Sequence, residues 1–195
     1  AFCDNRRGAA RLSPHRVDRR AIGSALAELK PDLVVDASGP FQDYGDDSYG
    51  VVAACIAAGI SYLDLADSAG FVFGIDRFDA AAKAAGVFVL AGVSSVPALS
   101  TAALREMART MDIRRIEGGI SPSPHARVGI NVMRAVLGYA GSPVALRRDG
   151  KDATGIGLGE SRRYTIAVPG RLPLRHIHFS LVDVPDLQLL PPAYP

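Results

Sequence analysis

The stretch that decides the fold is Asp32 to Gln42, DLVVDASGPFQ. Its strand-forming and small residues, Leu33 to Ala37, run directly into Ser-Gly-Pro-Phe, which has the composition of a turn. The apolar part lacks a strict alternation of apolar and polar residues, which is typical of a strand buried on both faces. The end of this strand either supports a ligand or is only a turn into the next helix, and the residues allow both interpretations.

Two further units repeat the order helix, Ala-Ala-Gly, strand, with Gly59 and Gly86 as helix-ending residues. Short apolar strands separated by amphipathic helices indicate parallel βαβ units in an open α/β sheet. The predicted elements are a helix over Asp18 to Lys30, the strand Leu33 to Ala37, a helix over 46–59, a strand over 60–67, a helix over 75–86 and a strand over 87–92.

Pro97 begins another predicted helix, because proline is tolerated in the first helical turn. Its inward face is expected to consist of Leu99, Ala103, Leu104, Met107 and Met111. From residue 112 the chain is richer in Arg, Pro and alternating residues, which predicts a second, α+β region. Its elements are a possible strand over 113–123, a helix over 129–141, and half-exposed strands within 160–170 and 175–184. Four prolines in the last eleven residues predict no packed element at the end of the chain.

Composition narrows the class of protein. The net charge is +2, from 22 basic and 20 acidic residues, and the arginines are scattered, so we expect neither nucleic acid nor a membrane as a partner. Cys3 and Cys55 form no CxxC motif and indicate no disulfide scaffold. No apolar run approaches the roughly 20 residues that span a bilayer, and the first residues lack a signal-peptide pattern, so we expect a cytoplasmic protein.

The carboxyl ends of parallel strands are where ligands bind in open α/β sheets. Gly39 would let a ligand approach the backbone closely, and Pro40 would hold the turn rigid. An ordinary strand-to-helix turn explains the same two residues. The loops predicted to reach this edge are Ser38-Gly39-Pro40-Phe41, Ala66-Asp67-Ser68 and Gly92-Val93-Ser94-Ser95.

Other candidate motifs are weaker. The chain contains no GxGxxG motif, and the segment from Gly155 to Gly159 has the wrong spacing and runs into a predicted strand, so we interpret it as a hairpin connection. Asp64 and Asp67 either orient a ribose hydroxyl or a substrate amine, or cap helices. No GxSxG motif or Cys-His pairing supports nucleophilic catalysis, and the catalytic residues stay unassigned.

The histidines suggest no metal site. His125 lies in a loop between the two regions and is the best placed for acid–base chemistry, although a plain loop or surface residue fits its context as well. His176 and His178 share one face of a predicted strand. A metal site needs a third ligand, and none stands at a matching spacing, so we interpret both as structural.

Three segments, VVDASGPFQDYG, VVAACIAAGISYLDLAD and VLAGVSSVPALST, resemble in this order the saccharopine dehydrogenase-like oxidoreductases. The resemblance covers about Val17 to Leu104 and extends more weakly through GESRRYTIAVPG and SLVDVPDLQLLP. It implies an α/β fold with an incomplete Rossmann-like parallel sheet in residues 1–111, whose first βαβα unit is missing. A partial α+β substrate and dimerisation domain would follow in residues 112–195.

The resemblance further implies NADP or NAD as cofactor, a small-molecule substrate and a homodimer. Many relatives carry an acidic residue at the place of Ser94 and a Gly-Glu pair at Asp67-Ser68, so an amino-acid substrate is not carried over. With the strand-end argument, the candidate cofactor contacts are Ser38, Gly39, Pro40, Phe41, Gly92 and Val93. The candidate substrate contacts are Asp67, Ser94, Ser95 and His125.

The first residues, AFCDNRRG, resemble the end of the helix that follows the family's second strand. In the strand order 3-2-1-4-5-6, the missing strands would lie between a strand near Ala10 to Val17 and the strand Leu33 to Ala37. We therefore expect this polypeptide alone not to bind a dinucleotide tightly. The alternative to an NAD(P)-dependent oxidoreductase is a non-catalytic Rossmann-like protein with an assembly or ligand-sensing role, because no convincing catalytic constellation is present.

Overall fold

A computed structural model describes residues 13–121 and 129–194. The helices are α1 (Ile22–Leu29), α2 (Gly50–Ala57), α3 (Ala69–Gly74), α4 (Asp79–Ala85), α5 (Ser100–Met107), α6 (Ile130–Leu137) and α7 (Asp186–Ala193). The strands are β1 (Leu33–Asp36), β2 (Ser61–Asp64), β3 (Val89–Leu90), β4 (Pro143–Arg148), β5 (Lys151–Ile156), β6 (Ser161–Ile166) and β7 (Leu174–Ser180). Short 3-10 turns, Arg19–Ala21 and Ile75–Phe78, precede α1 and α4, and an irregular turn, Ser95–Leu99, precedes α5.

The first three strands form a parallel sheet in the order β1-β2-β3. Val34 lies opposite Tyr62, which lies opposite Val89, so the strands are in register from edge to edge. Helices α2 and α4 connect successive strands, as the repeated helix, Ala-Ala-Gly, strand pattern predicts. Gly86 ends α4 with a φ of +66°, a conformation that glycine adopts without a steric penalty. The protein is therefore a mixed α/β protein with an incomplete Rossmann-like parallel sheet.

A second, α+β region contains two antiparallel strand pairs, β4 with β5 and β6 with β7. The Pro-Gly turn that joins β6 to β7 places Gly170 at a φ of +76°. The glycine-rich segment after β5 leads into a strand and not a helix, as expected, but β5 does not pair with β6, so the predicted hairpin connection is wrong. The possible strand over 113–123 is absent from its described part, residues 113–121.

The predicted strand near Ala10 to Val17 lies partly outside the described residues, and residues 13–17 contain no strand. Among the helices of the described ranges, none has the length and apolar character needed to cross a bilayer.

The main core lies on one face of the parallel sheet. Val52 and Cys55 of α2 are fully buried against Tyr62 of β2, with Leu26 of α1 beside them. Val34 and Val89 project from the neighbouring strands toward the same core. Because both crossovers in a right-handed βαβαβ unit lie on one side of the sheet, α2 and α4 cover the same face.

The opposite face of the sheet is exposed in the described part of the chain, which corrects the expectation that each strand is buried on both faces. Val35 is 53% exposed and Leu90 is 50% exposed. The inward face predicted for α5 is also wrong: Leu99, Met107 and Met111 are exposed, and α5 has no buried residue. The apolar residues of the strands and of α5 mark faces that could be buried, but no element among the described residues covers the outer face of the sheet or the apolar face of α5.

The end of the chain is a packed helix, against the expectation from its prolines. Leu190 of α7 is only 7% exposed, and Pro185, just before the helix, is fully buried. Helix α7 packs against β4 and α5. Pro191 and Pro192 lie in its last turn, where they remove two amide donors, and the burial of Leu190 offsets that loss.

We expect Leu190→Ala to lower the free energy of unfolding by about 2 to 4 kcal/mol, because the change removes a buried side chain and leaves a cavity. Leu172→Ala is the matched control, since Leu172 is 92% exposed and its truncation should cost less than about 0.5 kcal/mol. Urea unfolding measures both values. Equal, small losses in the two variants would contradict the packing of α7.

Candidate functional site

The carboxyl ends of the parallel strands bring the predicted loops to one edge. Asp36 at the end of β1 lies opposite Asp64 at the end of β2, and β3 ends two residues before Gly92. The loops that follow β1 and β3 both contain a cis X-Pro peptide, Gly39-Pro40 and Val96-Pro97. This edge is the candidate functional site.

A hydrogen-bond network centred on Asp36 anchors the turn after β1. The Ser38 amide and hydroxyl donate to Asp36 Oδ1 at 3.0 and 2.6 Å, and the Tyr44 hydroxyl donates to Asp36 Oδ2 at 2.6 Å. The Arg19 guanidinium stacks on the Tyr44 ring and lies 4.0 Å from Asp36 Oδ2. Burial raises the pKa of the Tyr44 phenol, and its bond to Asp36 raises it further, so the phenol stays a donor. Both ends of the turn are therefore tied to the same carboxylate.

Asp64 connects the loops that follow β2 and β3. Its Oδ1 accepts hydrogen bonds from the Ala66 amide at 2.9 Å and the Gly92 amide at 2.8 Å, and its backbone oxygen accepts from the Val93 amide at 2.8 Å. Burial raises the pKa of the Asp64 carboxyl, and the two amides act in the opposite direction. Its second oxygen is buried without a hydrogen-bond partner among the described residues. Asp64 is thus a buried connector, neither a helix cap nor a group that a ligand reaches.

The predicted cofactor residues differ in accessibility. Ser38 is exposed, and Gly39 and Pro40 are half-buried beside it. Phe41 is buried, with its ring centroid 4.8 Å from that of Tyr44 and 5.0 Å from that of Phe71. Phe41 therefore supports the turn from the protein side, and Ser38 to Pro40 form its outer surface.

Gly92 and its neighbours form the second part of the edge. Gly92 has a φ of +73°, and a Cβ on it would lie 2.7 Å from Pro97 Cδ. Gly92 is buried, and Val93 and Ser95 are exposed at the surface. Ser94 is half-buried, and its hydroxyl donates to the Val96 carbonyl at 3.0 Å. Glycine at position 92 thus serves close packing against Pro97.

The predicted substrate residues are only partly brought together. Asp67 is exposed at the edge, close to the turn after β1, because its Oδ1 accepts a hydrogen bond from Gln42 Nε2 at 3.0 Å. His125 lies outside the described residues. His176 and His178 are exposed on β7. Within the described ranges, no group of three His, Cys, Asp or Glu side chains is arranged to hold a metal ion.

Two residues of the candidate site, Gln42 and Tyr139, were not identified from the sequence. Gln42 Nε2 also donates to the Tyr139 hydroxyl at 2.9 Å, which connects the edge to the turn after α6. Gln42 is the last residue of the opening stretch, and a polar side chain after Gly-Pro-Phe was the one available signal. Nothing in the sequence relates it to Tyr139, 97 residues further along the chain.

Two shallow cavities lie elsewhere. One, of about 280 Å³, is lined by residues of the α4 segment and the start of β3, including Asp79, Lys83 and Phe88. The other, of about 250 Å³, lies beside α1 and includes His15 and Glu28. Neither contains a residue of the strand-end edge, so cavity size alone does not mark the site.

Three backbone amides of this edge are not available to the phosphates of a dinucleotide. Ser38, Val93 and Ser95 are exposed at this edge. The amides of Ser38, Gly92 and Val93 are already bound to Asp36 or Asp64, so they are not free to bind a pyrophosphate.

Comparison with known proteins assigns no family. No model of a known protein family matches the chain, and no curated protein matches it.

We expect Gly92→Ala to lower the free energy of unfolding by about 3 kcal/mol or more, because it combines a left-handed backbone with a clash against Pro97. Gly86→Ala is the matched control: its φ is +66°, but a Cβ there meets nothing within 4 Å, so only the backbone cost of about 1 to 2 kcal/mol remains. Urea unfolding of the two variants gives the comparison. Equal losses would show that Gly92 is not packed closely.

Asp64→Asn tests the buried carboxyl through its pH dependence. Because the folded pKa lies above the ordinary 3.8, the stability that Asp64 contributes is present at low pH and decreases as pH rises through the folded pKa. Asn keeps an oxygen for the two amides and does not titrate. We therefore expect the free energy of unfolding of Asp64→Asn to rise relative to that of the wild-type protein as the pH increases from 4 to 7.

The same series with Asp152→Asn, an exposed position on β5, provides the control. The stability change caused by Asp64→Asn should depend on pH more strongly than that caused by Asp152→Asn. Equal pH dependence in the two variants would contradict the burial of Asp64.

Proposed function

We propose that this protein is an NAD(P)-dependent oxidoreductase of the saccharopine dehydrogenase-like group, which transfers a hydride between a nicotinamide cofactor and a small-molecule substrate. The main supporting observation is the shared edge of the parallel strands, where the turn at Ser38 to Phe41 follows β1 and the loop at Gly92 to Ser95 follows β3, on either side of the end of β2. Ligands of open α/β sheets bind at such edges. The hydrogen bond from Gln42 to Tyr139 adds a second wall from the α+β region.

The chain's own residues would position the cofactor and would not carry out the redox step. The bound nicotinamide supplies the hydride chemistry. Asp36 holds the turn that presents Ser38, and Asp64 holds the loop that presents Val93. Both carboxylates are buried and bonded to backbone amides, so the edge is set before any ligand binds. Such preorganisation lowers the entropic cost of binding.

The proposal also covers the cellular location, the oligomeric state and the cofactor. We expect a cytoplasmic homodimer that uses NADP or NAD. The exposed apolar residues of α6 and the strands of the α+β region favour a subunit interface there. On α6 they are Ile130, Val132, Met133, Val136 and Leu137.

The experiment is to measure NADPH and NADH binding to the full-length gene product, and separately to this 195-residue chain, by calorimetry. We expect Val93→Asp to weaken dinucleotide binding to the full-length protein about tenfold, because it places a negative charge beside an anionic ligand on an exposed position. Leu172→Asp adds the same charge on the distant β6–β7 loop and should leave the dissociation constant unchanged.

Failure of the full-length protein to bind either dinucleotide would contradict the proposal and favour the non-catalytic alternative. Tight binding by the 195-residue chain alone would contradict the expectation that this polypeptide does not bind a dinucleotide tightly. Equal effects of the two aspartate variants would place the cofactor away from Val93.

A further inference from the structure

The hairpin formed by β6 and β7 ends in a tip that is exposed throughout. Residues 167–176 are exposed without interruption, and Leu172 is 92% exposed. Val168 and Leu174, on either side of it in the chain, are 54% and 55% exposed. Three large aliphatic side chains therefore lie at the end of one hairpin, and no described element covers them.

The tip is a tight turn with few free backbone donors. The Arg171 amide donates to the Val168 carbonyl at 3.0 Å. Gly170 follows Pro169 and has a φ of +76°, which is the pattern of a type II turn. Pro169 and Pro173 carry no amide hydrogen, and the Arg171 amide is bonded within the turn. This arrangement lowers the cost of moving the tip out of water, because fewer polar groups lose a partner.

The hairpin carries positive charge and no negative charge. Residues 161–182 contain four arginines, two histidines and neither Asp nor Glu. Arg171 and Arg175 flank the aliphatic tip, and Arg163 lies behind them on β6, and we refer to these three as the hairpin arginines. All three are exposed. The net charge of the whole chain, from which no membrane partner is expected, averages this segment with acidic segments elsewhere.

The carboxylates next to the hairpin are already paired at its base. Glu117 pairs with Arg162 of β6 and with a second arginine. Glu160, just before β6, pairs with Arg148. Within the described ranges, the hairpin arginines have no acidic partner. Their charge is therefore available to an anionic partner outside this part of the chain.

The other face of the hairpin holds it to the rest of the α+β region. The Tyr164 hydroxyl donates to Glu117 at 2.9 Å, and the rings of Tyr164 and Phe179 are 5.7 Å apart. Gly119 lies so close to Phe179 that a Cβ on it would be 2.5 Å from the ring. Side chains alternate along a strand, so Arg163, next to Tyr164, faces the opposite side. The basic face is thus on the free side of the hairpin.

We propose that the β6–β7 hairpin is a docking site for an anionic lipid surface, with Leu172 inserted among the lipids and the hairpin arginines on the headgroup phosphates. Charge complementarity is the argument for this occupant, because the cytoplasmic leaflet of a membrane is negatively charged. Reversible membrane binding takes two signals, and buried apolar area plus a basic patch are such a pair. The proposal goes beyond the dinucleotide site and does not depend on it.

A lipid surface fits the tip better than an acidic protein segment does. Leu172 stands almost free of its own chain, so a protein partner would need a pocket shaped to surround it. Acyl chains adapt to any shape. The region below the headgroups also offers few hydrogen-bond partners, which suits a turn with two prolines and an internal hydrogen bond.

Sedimentation of the full-length protein with vesicles tests the proposal. Vesicles of phosphatidylcholine alone are compared with vesicles that also contain about one third phosphatidylserine. We expect partition onto the anionic vesicles to be about tenfold stronger or more. It should weaken as the salt concentration rises, because salt screens the arginines from the headgroups. Equal partition onto the two kinds of vesicle, or onto neither, would overturn the proposal.

Variants of the tip separate its two contributions. Leu172→Ser should lower partition onto the anionic vesicles about tenfold or more, because it removes the inserted aliphatic side chain. Arg171→Gln combined with Arg175→Gln should also lower it about tenfold or more, at roughly fivefold for each arginine.

Matched controls make the same changes away from the hairpin. Leu99→Ser alters a leucine that is 67% exposed before α5. Arg105→Gln combined with Arg109→Gln removes the same charge from exposed positions in and after α5. Both controls should leave the partition within about twofold of the wild-type value. A loss in the controls equal to that in the tip variants would overturn the proposal.

A second measurement reports the position of the tip directly. The 195-residue chain contains no tryptophan, so Leu172→Trp adds a fluorescence signal from which the wild-type background is subtracted. We expect its emission to shift to shorter wavelength on anionic vesicles and to be quenched by brominated lipids, because an indole ring settles at the membrane interface. Leu99→Trp should show neither effect.

Unchanged emission of Leu172→Trp on the anionic vesicles would overturn the proposal, as would vesicle binding that survives both tip variants. Capture of an acidic protein through the same hairpin, with no binding to vesicles, would overturn it in favour of a protein partner.

Discussion

The candidate site depends on one buried carboxylate, Asp64. Strands β2 and β3 are paired over only two residue pairs, so the sheet itself does little to fix the loops beyond them. Asp64 Oδ1 binds the amides of Ala66 and Gly92, which belong to the two different loops. Removing this acceptor would leave two buried amides without partners, which costs more than an ordinary hydrogen bond contributes. The Asp64 side chain therefore fixes the loops after β2 and β3 relative to each other. In a sheet with longer strand pairing, backbone hydrogen bonds would do this.

Asp36 holds the turn after β1, but its partners include side-chain hydroxyls as well as a backbone amide. Its partners are the Ser38 amide and hydroxyl and the Tyr44 hydroxyl, all within the turn that it holds. Phe41 then packs into the aromatic cluster beneath, so polar bonds act on the outer side of the turn and apolar contacts on the inner side. The two carboxylates lie opposite each other in register, so the turn and the loop are positioned relative to one another.

Local patterns in the sequence predicted the parallel strands, helices α2 and α4 and the strands β6 and β7, because periodicity and turn residues act within a few neighbours. Helix α3 and the β4–β5 pair were not predicted. The exposed face of Val35 and Leu90 was not predictable in this way, since an apolar pattern shows which side can be buried and not what covers it. Helix α7 was missed because its prolines were counted as lost donors, while the burial of Leu190 is a tertiary effect. Gln42 and Tyr139 meet only in the folded chain.

The two connections between the edge and the α+β region differ in kind. Helix α7 packs against α5 and β4, and Leu190 and Val144 are buried there, so this connection has an apolar core. At the crevice, the bond from Gln42 to Tyr139 is a single hydrogen bond next to solvent, which contributes about 1 kcal/mol. The burial of two aliphatic side chains contributes more than this, so the hydrogen bond is the weaker of the two connections. Gln42 is therefore held at this connection by its amide nitrogen alone, since its amide oxygen is buried without a partner among the described residues.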